Sequence, residues 1–306
     1  MNALGSTQSA AQAHTPSGLK IPVLAVVGVG LIGGSFAAAL RKAGVVGRVL
    51  GAGRRVQTLA QAQELGIIDE AVSLREAAER ADLILVSAPV GAFPSIFAEL
   101  GASLSDTALI TDGGSTKQNV VEAARIGLGA RIGQFVPAHP MAGSHESGPQ
   151  AADANLYAGR RVMLTPLAEN RPEDIVRVEL AWRVCGARVI RLDPAGHDAV
   201  MAAISHLPHW IAALYMQHIL QSADPAARLE MAGPGFRDFT RIAAGSPEMW
   251  RDIFLANRQA MLDELSSLRT VFDRAEQALQ DGDATWLCDM LETSAEARRG
   301  WKGPAV

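Results

Sequence analysis

Between residues 21 and 191, short runs of aliphatic and β-branched residues alternate with longer stretches whose apolar positions recur every three or four residues. That alternation predicts a parallel sheet with crossover helices. The predicted strands are VLAVV (23–27), RVLGA (48–52), DLILVSA (82–88), ALITD (108–112), QFVPAH (134–139), RRVMLT (160–165) and RVIRL (188–192). Several carry almost no polar alternation, as strands covered on both faces should. After about residue 193 the strand pattern stops, and 194–222, 234–244, 247–280 and 283–299 read as helices. The expected fold class is α/β: a Rossmann-type doubly wound sheet over 21–192, then an all-helical domain over 193–300. Residues 1–20 read as a disordered leader and 301–306 as a tail. A helical domain that follows such a sheet with almost no linker is expected to form a homodimer.

At 306 residues the chain is long enough for two cores. A net charge of −4 gives no electrostatic reason to expect nucleic acid or an anionic membrane surface as partner. No run of about eighteen apolar residues stands out, so no membrane span is expected. The leader MNALGSTQSAAQAHTPSGL lacks the basic start and apolar centre of a signal peptide. Cys185 and Cys288 fall in different segments without metal-ligand spacing. They read as ordinary thiols of a reducing compartment, and a cytoplasmic location is expected.

GVGLIG (28–33) lies between the first strand and a helical run. In that setting Gly28 allows a tight turn, Gly30 lets a pyrophosphate approach the backbone, and Gly33 lets helix and strand pack closely. Leu31 and Ile32 open the helix, whose free N–H groups and positive dipole end suit phosphate. Ser87, Ala88 and Pro89, at the end of the strand 82–88, are further expected cofactor contacts. About twenty residues past the glycines, a site for NAD usually places an acidic residue on the ribose. Here the sequence has Gly53, Arg54 and Arg55. Loss of the carboxylate removes repulsion of a 2′-phosphate, and guanidinium groups bind it by forked, charge-assisted bonds. NADP is therefore the expected cofactor, with NAD as the alternative.

Three further stretches carry candidate chemistry. TDGGSTK (111–117) puts Ser115 at the carboxyl edge of the sheet, where open α/β folds bind ligands, although an N-cap serine looks the same. VPAHPMAGSHESG (136–148) puts His139 at a strand end, where a group with a pKa near 6.5 can take a proton at neutral pH. ISHLPHWIAAL (204–214) carries His206 and His209 on a helix with Pro208. No carboxylate or cysteine stands beside them in sequence, so lining of a pocket is expected rather than metal. GPGFRDFTRIAAGSPEMWRD (233–252) gathers Arg237, Arg241 and Arg251 among aromatic residues, as candidates to clamp a carboxylate.

The set GVGLIG, DGGSTK, AHPMAGSHESG, SHLPHW and GFRDFTRIAAGSPEMWRDI, in this order, resembles the prephenate/arogenate dehydrogenases of tyrosine biosynthesis over about residues 22 to 290. The resemblance implies oxidative decarboxylation of a small-molecule cyclohexadienol to a phenol, with hydride passing to a nicotinamide. It implies His139 as the catalytic base and Ser115 as a hydrogen-bonding partner near the substrate hydroxyl and the nicotinamide. Arg241 matches the arginine that binds substrate carboxylate, with Arg237 as a helper, and Ser205, His209 and Trp250 match pocket residues. His145 stands where many relatives have an acidic residue, which leaves prephenate versus arogenate open. A β-hydroxyacid dehydrogenase or imine reductase is the enzymatic alternative, but the hydroxyacid enzymes use a lysine, and this chain has none between Lys117 and Lys302. A non-catalytic NADP sensor would need the glycines and arginines without His139, Ser115 and Arg241.

Overall fold

The strand β1 (Ile21–Val27) is central because its inner residues are wholly apolar: Leu24, Ala25 and Val26 have no exposed surface. In the computed structural model, which describes residues 18–143 and 146–303, it is followed by α1 (Leu31–Lys42), β2 (Val46–Ala52), α2 (Val56–Glu64), β3 (Glu70–Ala71) and α3 (Leu74–Arg80). Then come β4 (Leu83–Val86), α4 (Phe93–Ser103), β5 (Leu109–Asp112) and α5 (Gln118–Leu128). The five strands pair in parallel in the order β3-β2-β1-β4-β5. Strand order reverses between β1 and β4, and this switch point opens the crevice at their carboxyl ends.

Both faces are covered. On one, Phe36 and Leu40 of α1 lie among Tyr157 and Trp182, with the Phe36 and Trp182 rings 4.5 Å apart. On the other, Phe93 and Phe97 of α4 pack with Phe135, the last pair 5.0 Å between ring centres. The two-residue β3 has no sequence signal, because two residues are too few to show a period.

The expected parallel pairing does not run unbroken to residue 191. A second sheet comprises β6 (Ala138–Pro140), β7 (Arg161–Leu164) and, after α6 (Pro172–Val184), β8 (Arg188–Arg191). β7 and β8 are parallel, but β6 is antiparallel to β7. The expected strand 134–139 is cut short. Phe135 makes one parallel bridge to Ile110, and then Pro137 and Pro140, which lack N–H donors, limit the ladder. The register places His139 opposite Met163.

The C-terminal part is helical: α7 (Pro194–Met201), α8 (Leu207–Leu220), α9 (Pro225–Glu230), α10 (Pro234–Thr240), α11 (Pro247–Ala256), α12 (Arg258–Asp281) and α13 (Ala284–Gly300). A single widened π-turn, Ala202–His206, joins α7 to α8, a feature that marks functional sites in helices. The expected helix 247–280 is broken at Asn257, whose side chain donates 2.8 Å to the Asp198 carbonyl and meets His206 Nδ1 at 3.0 Å. The short α9 falls outside the helices expected from sequence. Few residues of this domain are buried; Ala202, Leu207 and Met261 form its small core. Leu262, Phe272, Leu279 and Leu291 of α12 and α13 stay exposed, more apolar surface than an isolated domain usually shows.

The expectation that no stretch is apolar enough to cross a bilayer is corrected by Pro194–Leu220, which is long and apolar enough by length and composition. Its polar residues run from His197 to His218, and three of them are tied into the protein interior. His197, Asp198 and His206 are buried, and each bonds into the neighbouring elements described below.

Candidate active site

The glycine loop has the geometry of a dinucleotide cradle. Gly28 has φ +94°, and a Cβ there would lie 2.8 Å from the Ser87 carbonyl oxygen. A Cβ on Gly33 would fall 2.4 Å from Ser87 Oγ and 2.5 Å from the Gly28 carbonyl oxygen. Ser87 thus locks the loop, and its hydroxyl donates 2.8 Å to Gly28 O. Nothing lies within 4 Å of a Cβ built on Gly30, the N-cap of α1, so this one glycine faces open space. Leu31 and Ile32 are the first residues of α1, whose N-terminus has no side-chain cap, and Ala88 and Pro89 continue the chain beside Gly28.

At the end of β2, Gly53, Arg54 and Arg55 are all exposed. A Cβ on Gly53 would meet only Leu59 at 3.8 Å, an ordinary contact. Packing does not require a glycine here, so the missing carboxylate is a matter of chemistry rather than space. Among the described residues, the side chains of Arg54 and Arg55 have no hydrogen-bond or ion-pair partner, although the Arg55 carbonyl accepts the N–H of Leu59.

The neighbouring strand ends bring the catalytic candidates to the same edge. A Cβ on Gly113, just after β5, would lie 3.0 Å from Ile32 of the glycine loop and 3.8 Å from Pro140, the residue after His139. Ser115 follows two residues later. Asp112 and Lys117 form a wholly buried ion pair at 2.5 Å, and the same carboxylate accepts the N–H groups of Gly114 and Ala138. Burial pushes Asp112 up from its ordinary value, against the pull of Lys117 and those two N–H groups. This pair ties the serine loop to the strand that carries His139.

Sequence reasoning missed what lies behind His139. Its Nδ1 is 2.9 Å from His197 Nε2, and His197 Nδ1 is 2.8 Å from Asp198 Oδ1. Asp198 also accepts the backbone N–H groups of Lys117 at 2.7 Å and Gln118 at 2.8 Å, so it caps α5 from α7. Burial, with His197, Lys117 and His206 nearby, holds His139 well below its ordinary value of 6.5. Burial also lowers His197, although Asp198 opposes it. Burial would raise Asp198, but bonds from His197, Gln118 and Lys117 outweigh that and keep it lowered. The signal available in sequence was the polar pair His197 and Asp198 inside the apolar run that opens the helical domain.

The π-turn supplies the opposite wall. His206 is buried, bonded to Asn257 on one nitrogen and to the backbone of Ser115. Burial lowers it to about 4. His209 bonds the Ser205 carbonyl at 2.9 Å and stacks on Trp250, ring centres 3.7 Å apart. Burial and the nearby Arg241 charge lower His209, while the Ser205 bond opposes them. Arg241 therefore belongs to this cluster, and among the described residues it has no carboxylate partner. Arg237 is not brought to the cluster; it is exposed and pairs with its neighbour Asp238 at 3.4 Å. Arg251 pairs with Asp252 at 2.7 Å. His145 lies outside the described residues.

A glycine cradle, a neutral histidine at the adjoining strand end and a helical wall whose Arg241 has no carboxylate partner among the described residues define a dinucleotide-dependent oxidoreductase. Comparison with known proteins gives the family. The prephenate dehydrogenase nucleotide-binding domain matches residues 36–191, and the prephenate dehydrogenase dimerization domain matches residues 193–293. The prephenate dehydrogenase of Bacillus subtilis is 36% identical, over 90% of this chain and 75% of its own length. The cyclohexadienyl dehydrogenase of Zymomonas mobilis is 32% identical, over 91% of this chain and 96% of its own. Among solved structures, prephenate dehydrogenase from Aquifex aeolicus with hydroxyphenyl propionate and NAD+ is 32% identical with a TM-score of 0.86, covering 92% of this chain and 98% of that one. The chain belongs to the prephenate dehydrogenase family.

Proposed function

We propose that the protein catalyses the oxidative decarboxylation of prephenate, arogenate or both, and that it uses NADP in preference to NAD. The observation that carries this reading is the adjacency at Gly113, where a Cβ would touch both the glycine loop and the residue after His139. Cofactor cradle and base thus share one edge of the sheet. Similarity to the arogenate dehydrogenase of Synechocystis, 29% identical with a TM-score of 0.79 over 91% of this chain and 99% of that one, supports keeping both substrates in view.

The residues fit a dinucleotide, since Gly28 and Gly33 are filled by protein while Gly30 faces open space. Gly28, Gly30, Leu31, Ile32, Gly33, Ser87, Ala88, Pro89 and Ser115 would hold it, and Arg54 and Arg55 would take the 2′-phosphate that a carboxylate at position 53 would repel. When bound, the nicotinamide supplies the hydride acceptor. The neutral His139 takes the proton of the ring hydroxyl as that carbon loses hydride. Ser115, held by His206, orients the same hydroxyl. Arg241 pairs with a substrate carboxylate, and Ser205, His209 and Trp250 enclose the ring. The bond from the ring to its carboxylate breaks as carbon dioxide leaves, and its electrons complete the aromatic ring as a phenolate. The proton held by His139 returns to that oxygen to give the phenol. That gain in aromaticity leaves the protein mainly with alignment and proton removal.

The proposed domain limits are 21–192 for nucleotide binding and 193–300 for the helical unit. The exposed apolar residues of α12 and α13 suit a second copy of this chain. The two free thiols, Cys185 and Cys288, suit a reducing compartment such as the cytoplasm.

The test is a matrix of initial rates with prephenate and arogenate against NADP and NAD. Turnover of at least one substrate, with higher kcat/KM for NADP, is expected. Tight cofactor binding with no turnover of either substrate would instead indicate a non-catalytic dinucleotide binder.

A further inference from the structure

We propose that His197 and Asp198 are positioning residues that fix His139 in the tautomer with its proton on Nδ1, leave Nε2 as the acceptor, and share the charge His139 gains. The inference rests on His139 being the base of the reaction above.

The tautomer follows from counting protons along the chain of bonds. Three groups meet the Asp198 carboxylate: the Lys117 and Gln118 N–H groups and His197 Nδ1. A carboxylate can only accept, so His197 Nδ1 must donate. A neutral His197 has no second proton, and its Nε2 is then an acceptor. The 2.9 Å contact with His139 is made only if His139 Nδ1 donates. His139 Nε2 is left with its lone pair, and among the described residues it has no partner. Which nitrogen of a histidine reacts is set by the bond its other nitrogen makes.

The surrounding charges keep the chain in this state. Lys117 and Asp112 face it from the β5 end, and His206 faces it from the π-turn. Burial and the Lys117 ammonium both disfavour a charged His197. When His139 Nε2 takes the substrate proton, the Nδ1 proton can move to His197 Nε2. His139 is then neutral again, and the positive charge sits on His197 beside the Asp198 carboxylate. No other reactant is needed, and each proton has a named donor and acceptor.

The test compares His197→Asn and His197→Gln with the wild-type enzyme and reads histidine 15N NMR of the wild-type protein. His197→Asn is expected to lower kcat by at least about tenfold, and by no more than the ~10²–10⁴ that a general base contributes. KM and NADP affinity should change little. His197→Gln keeps an acceptor that can reach His139 Nδ1 and should recover part of the loss. The neutral His139 should carry its proton on Nδ1. A His197→Asn enzyme with wild-type kcat and an unshifted pH profile, or a His139 protonated on Nε2, would overturn the proposal. If His197→Asn does not fold, the wild-type spectrum still decides the tautomer. If the wild-type enzyme turns over neither substrate, the functional reading fails while the spectrum still tests the hydrogen-bond chain.

Discussion

Asp198, on the first helix of the helical domain, accepts the backbone N–H of Lys117 at 2.7 Å, at the start of α5 in the sheet domain. The two domains therefore meet through a helix cap made in trans along the chain. A carboxylate there satisfies N–H groups that α5 cannot pair by itself and complements the positive end of its dipole. The same carboxylate reaches His197, so the joint between domains is also the support of the base. We expect Asp198→Ala to lose about 1–3 kcal/mol of stability, the usual cost of removing a charged partner from buried donors. Chemical denaturation followed by circular dichroism measures it, and an unchanged midpoint would remove Asp198 from this role.

The pH dependence has a definite sign. His139 acts only when neutral, and burial with His197, Lys117 and His206 lowers its pKa well below 6.5. Activity is then fully present at neutral pH and falls as pH drops through that lowered value. The acid limb of the kcat/KM profile, which reports the free enzyme, should lie below pH 6.5. A limb at or above that pH would mean that His139 is not held neutral by its surroundings.

The cofactor prediction concerns the end of β2. Arg54→Ala or Arg55→Ala should weaken NADP by roughly 10- to 100-fold, as expected for losing a hydrogen bond to a charged group, and should leave NAD nearly unchanged. Gly53→Asp fits sterically, with only Leu59 at 3.8 Å from the new Cβ. It should shift preference toward NAD. Dissociation constants for both cofactors decide the matter, and equal losses for NADP and NAD would make these arginines ordinary solvated residues.

Arg241 is the expected carboxylate partner of the substrate. Arg241→Ala should reduce kcat/KM by about 10- to 100-fold, mainly through KM, with NADP binding intact. Steady-state kinetics separates the two constants. A similar loss in Arg237→Ala, whose side chain pairs with Asp238, would show that it too reaches the substrate.

Much of this arrangement was legible in the chain because it is local. The glycine loop follows a buried strand and opens a helix, so spacing alone places Gly28, Gly30 and Gly33. His139 and Ser115 could be assigned to strand ends for the same reason. Less local features escaped. The antiparallel β6 depends on pairing with β7, some twenty residues away in sequence, over a short ladder that Pro137 and Pro140 limit. The break at Asn257 depends on bonds to Asp198 and His206, which no helical period records. The pair His197 and Asp198 was visible only as two polar residues in an apolar run. Their meaning required the fold that sets them behind His139.

The central claim is that His139 removes the hydroxyl proton in an oxidative decarboxylation. The most direct measurement follows reduced NADP and released carbon dioxide together, from prephenate and from arogenate, with wild-type enzyme and His139→Asn. For at least one substrate the wild type should form the two products in equal amounts. His139→Asn should bind NADP as the wild type does and lose about 10²- to 10⁴-fold in kcat. A His139→Asn enzyme that retains wild-type turnover, or a wild type that reduces NADP without releasing carbon dioxide, would contradict the account.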